Sequence, residues 1–290
     1  MEQSGATGPE QPGGTAGDVL AEEAAAASVA LADGAIPERG TAAYVAEFIG
    51  TFALVMFVTL VVSEYVKPPV PQGQGLAPFQ PFIDFSVIGL VHVFALFFLI
   101  QTLAVVSGAH FNPAVTAALA AVRQIRVIDA AIYVVVQLAG GVLGALVTKL
   151  VLKHLDSAKA VHYGAPMISD NLGHEIGLGM LVEGLGTFFL VWAVVGVAVN
   201  PQGVREWAGL AIGATLGMAV MVGGALTGGS YNPARAFGPA LAANSFDGAG
   251  RFLLVYVLAP VLGGVLAAFA YMRMFVLQGK KGPMGMAPVG

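Results

Sequence analysis

Two short segments of the sequence share the tripeptide Asn-Pro-Ala. Its six residues are Asn112, Pro113, Ala114, Asn232, Pro233 and Ala234. Asparagine favours the cap position of a helix, and proline favours its first turn. A short apolar stretch follows each motif, over Val115 to Val122 and Phe237 to Ala243. The sequence therefore predicts two helices that are too short to cross a bilayer.

The starts of two such helices could repel ions and orient water. A helix N-terminus carries a positive partial charge of about half a unit, so two facing ends would repel cations, including hydronium. The amides of Asn112 and Asn232 can donate hydrogen bonds to the oxygen of a passing water. A water held by both amides points its hydrogens outward and cannot accept a proton, which would interrupt proton transfer along the water file.

Two cationic or ionisable residues add to this chemistry. Arg235 directly follows the second motif and brings a permanent charge with five donors. We expect it to bind passing water and repel cations, the alternative being an arginine that extends towards a membrane interface. His92 lies inside an apolar run, where an ionisable residue indicates a function. The alternative for His92 is a hydrogen bond to a neighbouring helix.

Two acidic residues, Glu47 and Glu183, also lie inside apolar runs. An unpaired carboxylate is costly within a membrane. We expect both to be structural and to accept hydrogen bonds from the backbone of the loops that precede the short helices. The loop residues concerned are Gly108, Ala109, His110, Gly228 and Ser230. A proton relay is the alternative role for the two glutamates.

The composition places these residues in a membrane protein. The chain has 290 residues, of which 57% are hydrophobic and 10% charged, with a mean hydropathy of +0.81. Soluble domains carry about 25% charged residues, so an ordinary soluble enzyme is excluded. The lack of cysteine excludes disulfides and thiolate metal sites, and the net charge of -4 does not favour nucleic-acid binding.

Six apolar runs are long enough to cross a bilayer, since a span needs about 20 residues. The predicted spans are 42–63, 83–106, 127–152, 175–199, 206–226 and 250–275. A proline-rich loop separates the first two.

The chain contains an internal repeat. Residues 46–52 resemble residues 182–188, and residues 107–115 resemble residues 227–235. Each repeat holds three spans, an odd number, so the halves must have opposite orientations, with a site near the midplane. We predict an all-α membrane protein with six transmembrane helices, two re-entrant half-helices and an inverted 3+3 repeat. Repeat one covers about 42–152, repeat two about 175–275, and together they form a domain over 41–275.

The two ends of the chain differ from this domain. Residues 1–40 contain seven acids but only one base, Arg39, and few large apolar residues, so they are predicted to be a disordered acidic tail. Residues 276–290 form a short C-terminal tail. With the termini in the cytoplasm, that side holds seven Lys and Arg residues and the other side five, which favours cytoplasmic termini. The plasma membrane is the expected location.

From about residue 42 to 275, the sequence resembles the aquaporin family of major intrinsic proteins. Residues 107–116 and 232–240 are similar to its two signature loops. The resemblance implies one pore per subunit, a homotetramer and no cofactor. It also implies a selectivity filter, whose four residues would be His92, Val220, Gly229 and Arg235. This set is similar to that of plant tonoplast channels, and His110 matches a histidine near the cytoplasmic vestibule, where we expect it to fix loop geometry.

The resemblance implies water as the substrate. The glycerol-conducting branch usually has aspartate after the filter arginine, where this chain has Ala236. Because Val220 and Gly229 are small, we expect a wider filter that also passes ammonia, and we extend this to urea and hydrogen peroxide. A glycerol or polyol facilitator and a proton-coupled transporter are the alternatives. The sequence has no His-Glu-x-x-His, nucleophile-elbow or phosphate-loop motif, so an enzyme is not expected.

Overall fold

The computed structural model describes residues 36–66 and 81–277. This part of the chain contains six helices that are long and apolar enough to cross a membrane. Spans 1 to 6 cover Thr41–Tyr65, Phe85–Ser107, Val127–Val151, Ile176–Val199, Arg205–Thr227 and Ala249–Val276. All predicted ends agree with these bounds within two residues. The all-helical fold with six spans is therefore confirmed.

Two shorter helices follow spans 2 and 5. Half-helix 1 covers Pro113–Ala121 and half-helix 2 covers Pro233–Ala243. Span 2 belongs to a helix that starts earlier, at Pro81, and the connection after span 3 contains a helical turn over Asp156–Ala160. The remaining short elements are 3-10 turns, two of which lie in the connection after span 3, and π-helical turns, which lie within spans 4 and 6. They cover His162–Gly164, Asp170–Leu172, Val195–Val199, Arg205–Trp207, Leu253–Leu258 and Met272–Val276.

The two halves of the bundle pack in the same way. Span 1 packs mainly on span 3 and span 4 on span 6, while span 2 and its counterpart span 5 pack on each other. Half-helix 1 packs on span 6, and half-helix 2 packs on span 3. Each half-helix is therefore supported by the third span of the opposite half.

Small residues let the spans approach closely. A Cβ on Gly140 would collide with the carbonyl oxygen of Phe48, and one on Gly263 with that of Gly184. Such contacts between small residues are a usual source of packing between membrane helices. These glycines therefore allow close contact at the interfaces of spans 1 and 3 and of spans 4 and 6.

Three segments of the chain lie outside the described residues. They are residues 1–35, 67–80 and 278–290. Most of the predicted acidic tail, the proline-rich loop and most of the C-terminal tail fall in these segments, so those expectations remain predictions. Below, the tail side of the bundle is the end at which span 1 begins, and the loop side is the end that carries residues 152–175.

Candidate functional site

The two half-helices start opposite each other and are joined by their cap residues. Asn112 Oδ1 accepts from the N–H of Ala114, and Asn232 Oδ1 accepts from that of Ala234, both at 2.9 Å. The Asn112 amide donates to the carbonyl of Tyr231, and the Asn232 amide donates to that of Phe111, also both at 2.9 Å. Each asparagine therefore caps its own helix and binds the opposite loop.

Each loop is held by a buried carboxylate from the first span of its own half. Glu47 accepts from the N–H groups of His110 (2.9 Å) and Phe111 (2.7 Å). Glu183 accepts from those of Ser230 (2.9 Å) and Tyr231 (2.6 Å). Both glutamates have no exposed surface. The two carboxylates thus satisfy backbone donors that would otherwise be buried without a partner.

The loops present these donors because their backbone is left-handed at several positions. Phe111 and Tyr231 have φ of 48° and 52°, and the preceding Gly108 and Gly228 have φ of 88° and 82°. A non-glycine residue with positive φ is costly and persists where its surroundings fix it. Here the carboxylate on one side and the asparagine bond on the other fix both loops.

Further buried polar groups that sequence reasoning missed complete the support. The hydroxyls of Tyr133 and Tyr256 donate to the carbonyls of Ser107 (2.7 Å) and Thr227 (2.9 Å), where spans 2 and 5 end. Gln137 donates to Glu47 at 2.8 Å. Tyr133 and Tyr256 are 123 residues apart, the same offset as Gly140 and Gly263. Extending the repeat to the third spans would therefore have found the tyrosine pair.

Two cavities lie along the axis of the bundle. The tail-side cavity has a volume of about 90 Å³ and is lined by both cap asparagines. That volume suits several waters, because each needs at least about 10–15 Å³ by this measure. The loop-side cavity is larger, at about 340 Å³. Of the predicted loop residues, Gly108, Ala109, His110 and Ser230 line the tail-side cavity and Gly228 lines the loop-side cavity.

The wall of the tail-side cavity is mostly apolar. Four spans each contribute side chains four residues apart, which lie on one face of a helix. They are Leu54, Val58, Leu96, Ile100, Ala104, Leu190, Val194, Ala198, Ala208, Ile212 and Leu216. Sequence reasoning missed these residues, although counting in fours from His92 and Val220 reaches Leu96, Ile100, Ala104, Leu216, Ile212 and Ala208.

The two cavities meet at Arg235. This residue lines both of them and is only 2% exposed. Its Nη1 donates to the carbonyl of Gly164 at 2.9 Å, while Nε has no partner among the described residues. The loop that contains Gly164 thus fixes the guanidinium across the pathway.

Val220 and Gly229 lie beside this junction but line neither cavity. Val220 has no exposed surface, and it lies one turn from Leu216 of the tail-side cavity and one turn from Gly224 of the loop-side cavity. Along the axis of the bundle, Val220 therefore lies at the same height as the junction of the two cavities at Arg235. A Cβ on Gly229 would come within 3.2 Å of the Gly224 Cα and 3.4 Å of the Val220 Cα. Gly229 thus packs tightly on span 5.

His92 offers a hydrogen-bond acceptor to the tail-side cavity, which it lines. Its Nδ1 lies 2.8 Å from the carbonyl of Ile88. Because a carbonyl can only accept, Nδ1 must carry the proton, and in the neutral ring Nε2 then has a free lone pair. Nε2 is buried and has no partner among the described residues. This bond lies within the histidine's own helix, one turn back, and is not the bond to a neighbouring helix that was the alternative to a pore role.

Comparison with known proteins identifies the family. The family model for the major intrinsic proteins matches residues 38–271. The chain is 35% identical to the probable aquaporin AqpM of Archaeoglobus fulgidus, over 79% of this chain and 94% of that protein. It is 38% identical to glycerol uptake facilitator protein-like 6 of Lactiplantibacillus plantarum, over 78% of this chain and 94% of that protein. It is also 37% identical to the aquaporin TIP2-3 of Zea mays, over 81% and 88%.

The fold is similar to that of a solved structure as well. The X-ray structure of the aquaglyceroporin from Plasmodium falciparum superposes with a TM-score of 0.67 at 20% identity, covering 83% of this chain and 98% of that one. At this identity the likeness concerns the fold alone. The family match and the relatives carry the assignment: the chain belongs to the major intrinsic protein family, and it is a multi-pass membrane channel and not an enzyme.

Proposed function

We propose that the protein conducts water and excludes protons and other ions. The observation that carries the proposal is the pair of cap asparagines, which bind each other's loops at 2.9 Å where two half-helices start and line a small, mostly apolar cavity. Positive half-helix ends and an arginine are known to exclude protons and cations in aquaporin-type pores.

The spare donors of the two amides would interrupt proton transfer. Each side-chain amide has two hydrogens, and one of them is used in the bond to the opposite loop. The other is left for a water in the cavity. A water that accepts from both Asn112 and Asn232 directs its own hydrogens away from the centre. Neighbouring waters then cannot pass it a proton, while its own movement along the pore stays unhindered.

The region around Arg235 would set the range of solutes. We assign His92, Val220, Gly229 and Arg235 to the selectivity filter. Arg235 offers donors, and the free Nε2 of His92 offers an acceptor, so the filter suits small molecules that both donate and accept. Ammonia, urea and hydrogen peroxide share this property with water.

Glycerol is the second candidate, because a relative with 38% identity is called a glycerol uptake facilitator protein-like protein. Two features favour water. The residue after the filter arginine is Ala236, which is fully buried. The glycerol branch usually has an aspartate at this position. His92 and Val220 occupy the two positions where that branch tends to have aromatic residues.

A proton-coupled transporter is less well supported. It would need titratable groups in the pathway, and Glu47 and Glu183 are the acidic candidates from the sequence. Neither carboxylate lines the two cavities, and both are occupied by donors from the loops. Their arrangement favours a structural role, in which each glutamate holds one half-helix in place.

Stopped-flow measurements on proteoliposomes would test the proposal. Vesicles with and without the protein are shrunk osmotically, and the permeabilities to water, glycerol and ammonia are compared. We expect faster water flow, a rise in ammonia permeability and little change for glycerol. A glycerol permeability that rises as much as the water permeability would favour the second candidate. Ammonia permeability equal to that of protein-free vesicles would contradict the wider solute range.

The assembly and location belong to the same proposal. We assign a homotetramer in the plasma membrane, with both termini in the cytoplasm, so that the tail side faces the cytoplasm. Support for further contacts comes from large apolar side chains exposed on the spans, such as Phe94, Phe189 and Leu266 at 60%, 55% and 62%. Such side chains must be covered by lipid or by neighbouring subunits.

A further inference from the structure

The position of Arg39, two residues before span 1, is fixed by a buried carboxylate of span 3. The backbone N–H of Arg39 lies 3.4 Å from Asp129 Oδ2, and the hydroxyl of Tyr44 donates to Asp129 Oδ1 at 2.7 Å. The Asp129 side chain has no exposed surface and pairs with Arg126 at 2.6 Å. Asp129 therefore ties the start of span 1 to span 3.

The guanidinium of Arg39 lies beside the tail-side cavity. A Cβ built on Gly108 would lie 3.7 Å from Arg39 Nη2 and 3.5 Å from His110 Nε2. Gly108 and His110 both line that cavity. The guanidinium is thus no more than about 7 Å from the imidazole, which is within the screening length of physiological salt.

Packed rings connect this site to the carboxylate that holds it. The ring of His110 meets the ring of Tyr133 edge-on at 5.2 Å, and Tyr133 meets Tyr44 edge-on at 6.0 Å. Tyr44 in turn donates to Asp129. The wall of the cavity and the backbone anchor of Arg39 therefore belong to one cluster of contacts, which places the start of span 1 at the tail-side mouth of the cavity.

We propose that Arg39 is a second specificity-determining residue, which repels cations at the tail-side mouth as Arg235 does at the loop-side end. The inference rests on the proposed function of Arg235. A cation that enters from the tail side would pass the Arg39 charge first, whereas a neutral solute would be unaffected. At about 7 Å, the limit given above for the distance between the Arg39 guanidinium and the His110 ring, a unit positive charge lowers the probability of finding a cation by about tenfold.

The test measures potassium leak in proteoliposomes that carry Arg235→Val, in which the other barrier is removed. Adding Arg39→Gln should raise the leak by about tenfold, whereas Arg39→Lys, which keeps the charge, should leave it unchanged. Arg205→Gln is the matched control, since Arg205 is an exposed arginine at the tail-side start of span 5. High salt should reduce the difference between the Gln and Lys variants, because it screens exposed charges.

Water permeability, measured on the same vesicles, shows that each variant is folded. Equal potassium leak in Arg235→Val and Arg235→Val/Arg39→Gln, at any level, overturns the role of Arg39. If Arg39→Gln does not fold, Arg39→Glu replaces it and must leak more than Arg39→Lys, and equal leak again overturns the proposal. The step from wild type to Arg235→Val reports separately on the proposed filter, so the two inferences can fail independently.

Discussion

Arg235 is the residue on which we expect the exclusion of ions to depend most. It lies where the two cavities meet, and Gly164 holds its guanidinium there. Arg235→Val removes the charge and shortens the side chain, so we expect a wider passage that leaks urea and cations while still conducting water. Solute and ion fluxes in proteoliposomes measure this. Unchanged urea and cation leak would count against the assigned role.

The two buried glutamates should matter for stability rather than for transport of protons. Both carboxylate oxygens of Glu183 accept bonds from backbone N–H groups. In Glu183→Gln, an NH₂ group replaces one of these oxygens, so two hydrogen-bond donors would face each other. Breaking such a buried network costs about 3 kcal/mol. A thermal melt in detergent should show an apparent midpoint lower by on the order of 10 °C. Glu206→Gln, at an exposed position, is the control and should melt like the wild type.

We expect the response to mercury to depend on whether a cysteine stands at a filter position such as Gly229. The chain has no cysteine, so we expect mercuric ions to leave its water permeability unchanged. Gly229→Cys should introduce block that a thiol reverses. It should also lower stability, because the added Cβ lies 3.2 Å from the Gly224 Cα and the backbone φ is 56°. Strong block of the wild type, or none in a conducting Gly229→Cys variant, would contradict this.

At the scale of elements, the close contacts between spans should tolerate no added side chain. Gly263→Ala places a Cβ against the Gly184 backbone, and overpacking of this kind costs about 1–3 kcal/mol. Gly177 also lies in a membrane span, and a Cβ added there would meet no atom within 4 Å. Alanine at this position should therefore stabilise span 4 by up to about 1 kcal/mol. The melting midpoint should fall for Gly263→Ala and hold or rise for Gly177→Ala. The opposite order would refute the packing argument.

Much of the fold could be predicted from the sequence because a bilayer imposes its own length scale. Apolar runs located all six spans, and Asn112 and Asn232 located the starts of both half-helices. The pore-facing side could not be read in the same way. Side chains such as Ile100 and Leu216, in the pore wall, and Phe94 and Met218, on the outside, are all apolar. The pattern along each span therefore does not distinguish the pore from the lipid.

The supporting contacts were partly predictable. The repeat identified Glu47 and Glu183 as equivalent, and the need to satisfy buried carboxylates predicted their loop donors. Gln137 was not predictable, because it has no equivalent in the second half. Counting with the 123-residue offset places Pro260 there. The place of Arg39 beside the cavity was not predictable either, because it depends on Asp129, which is distant in sequence.

The whole molecule uses few charges, and three of them lie buried around the two half-helices. Only 10% of the residues are charged. Two buried carboxylates hold the loops, and Arg235 stands between the two cavities. The tail-side cavity is otherwise lined mostly by apolar side chains, together with two asparagine amides, Ser230 and the rings of His92 and His110. Such a pore should lower the barrier for water and leave it high for ions.

The central claim is that water and protons are separated in this pore. Proteoliposomes that contain a pH-sensitive dye allow both permeabilities to be measured in one preparation, with protein-free vesicles and a protonophore as the two limits. We predict that water permeability rises well above that of protein-free vesicles while proton permeability stays at their level. Proton permeability that rises together with water permeability, or water permeability that does not rise at all, would contradict the account.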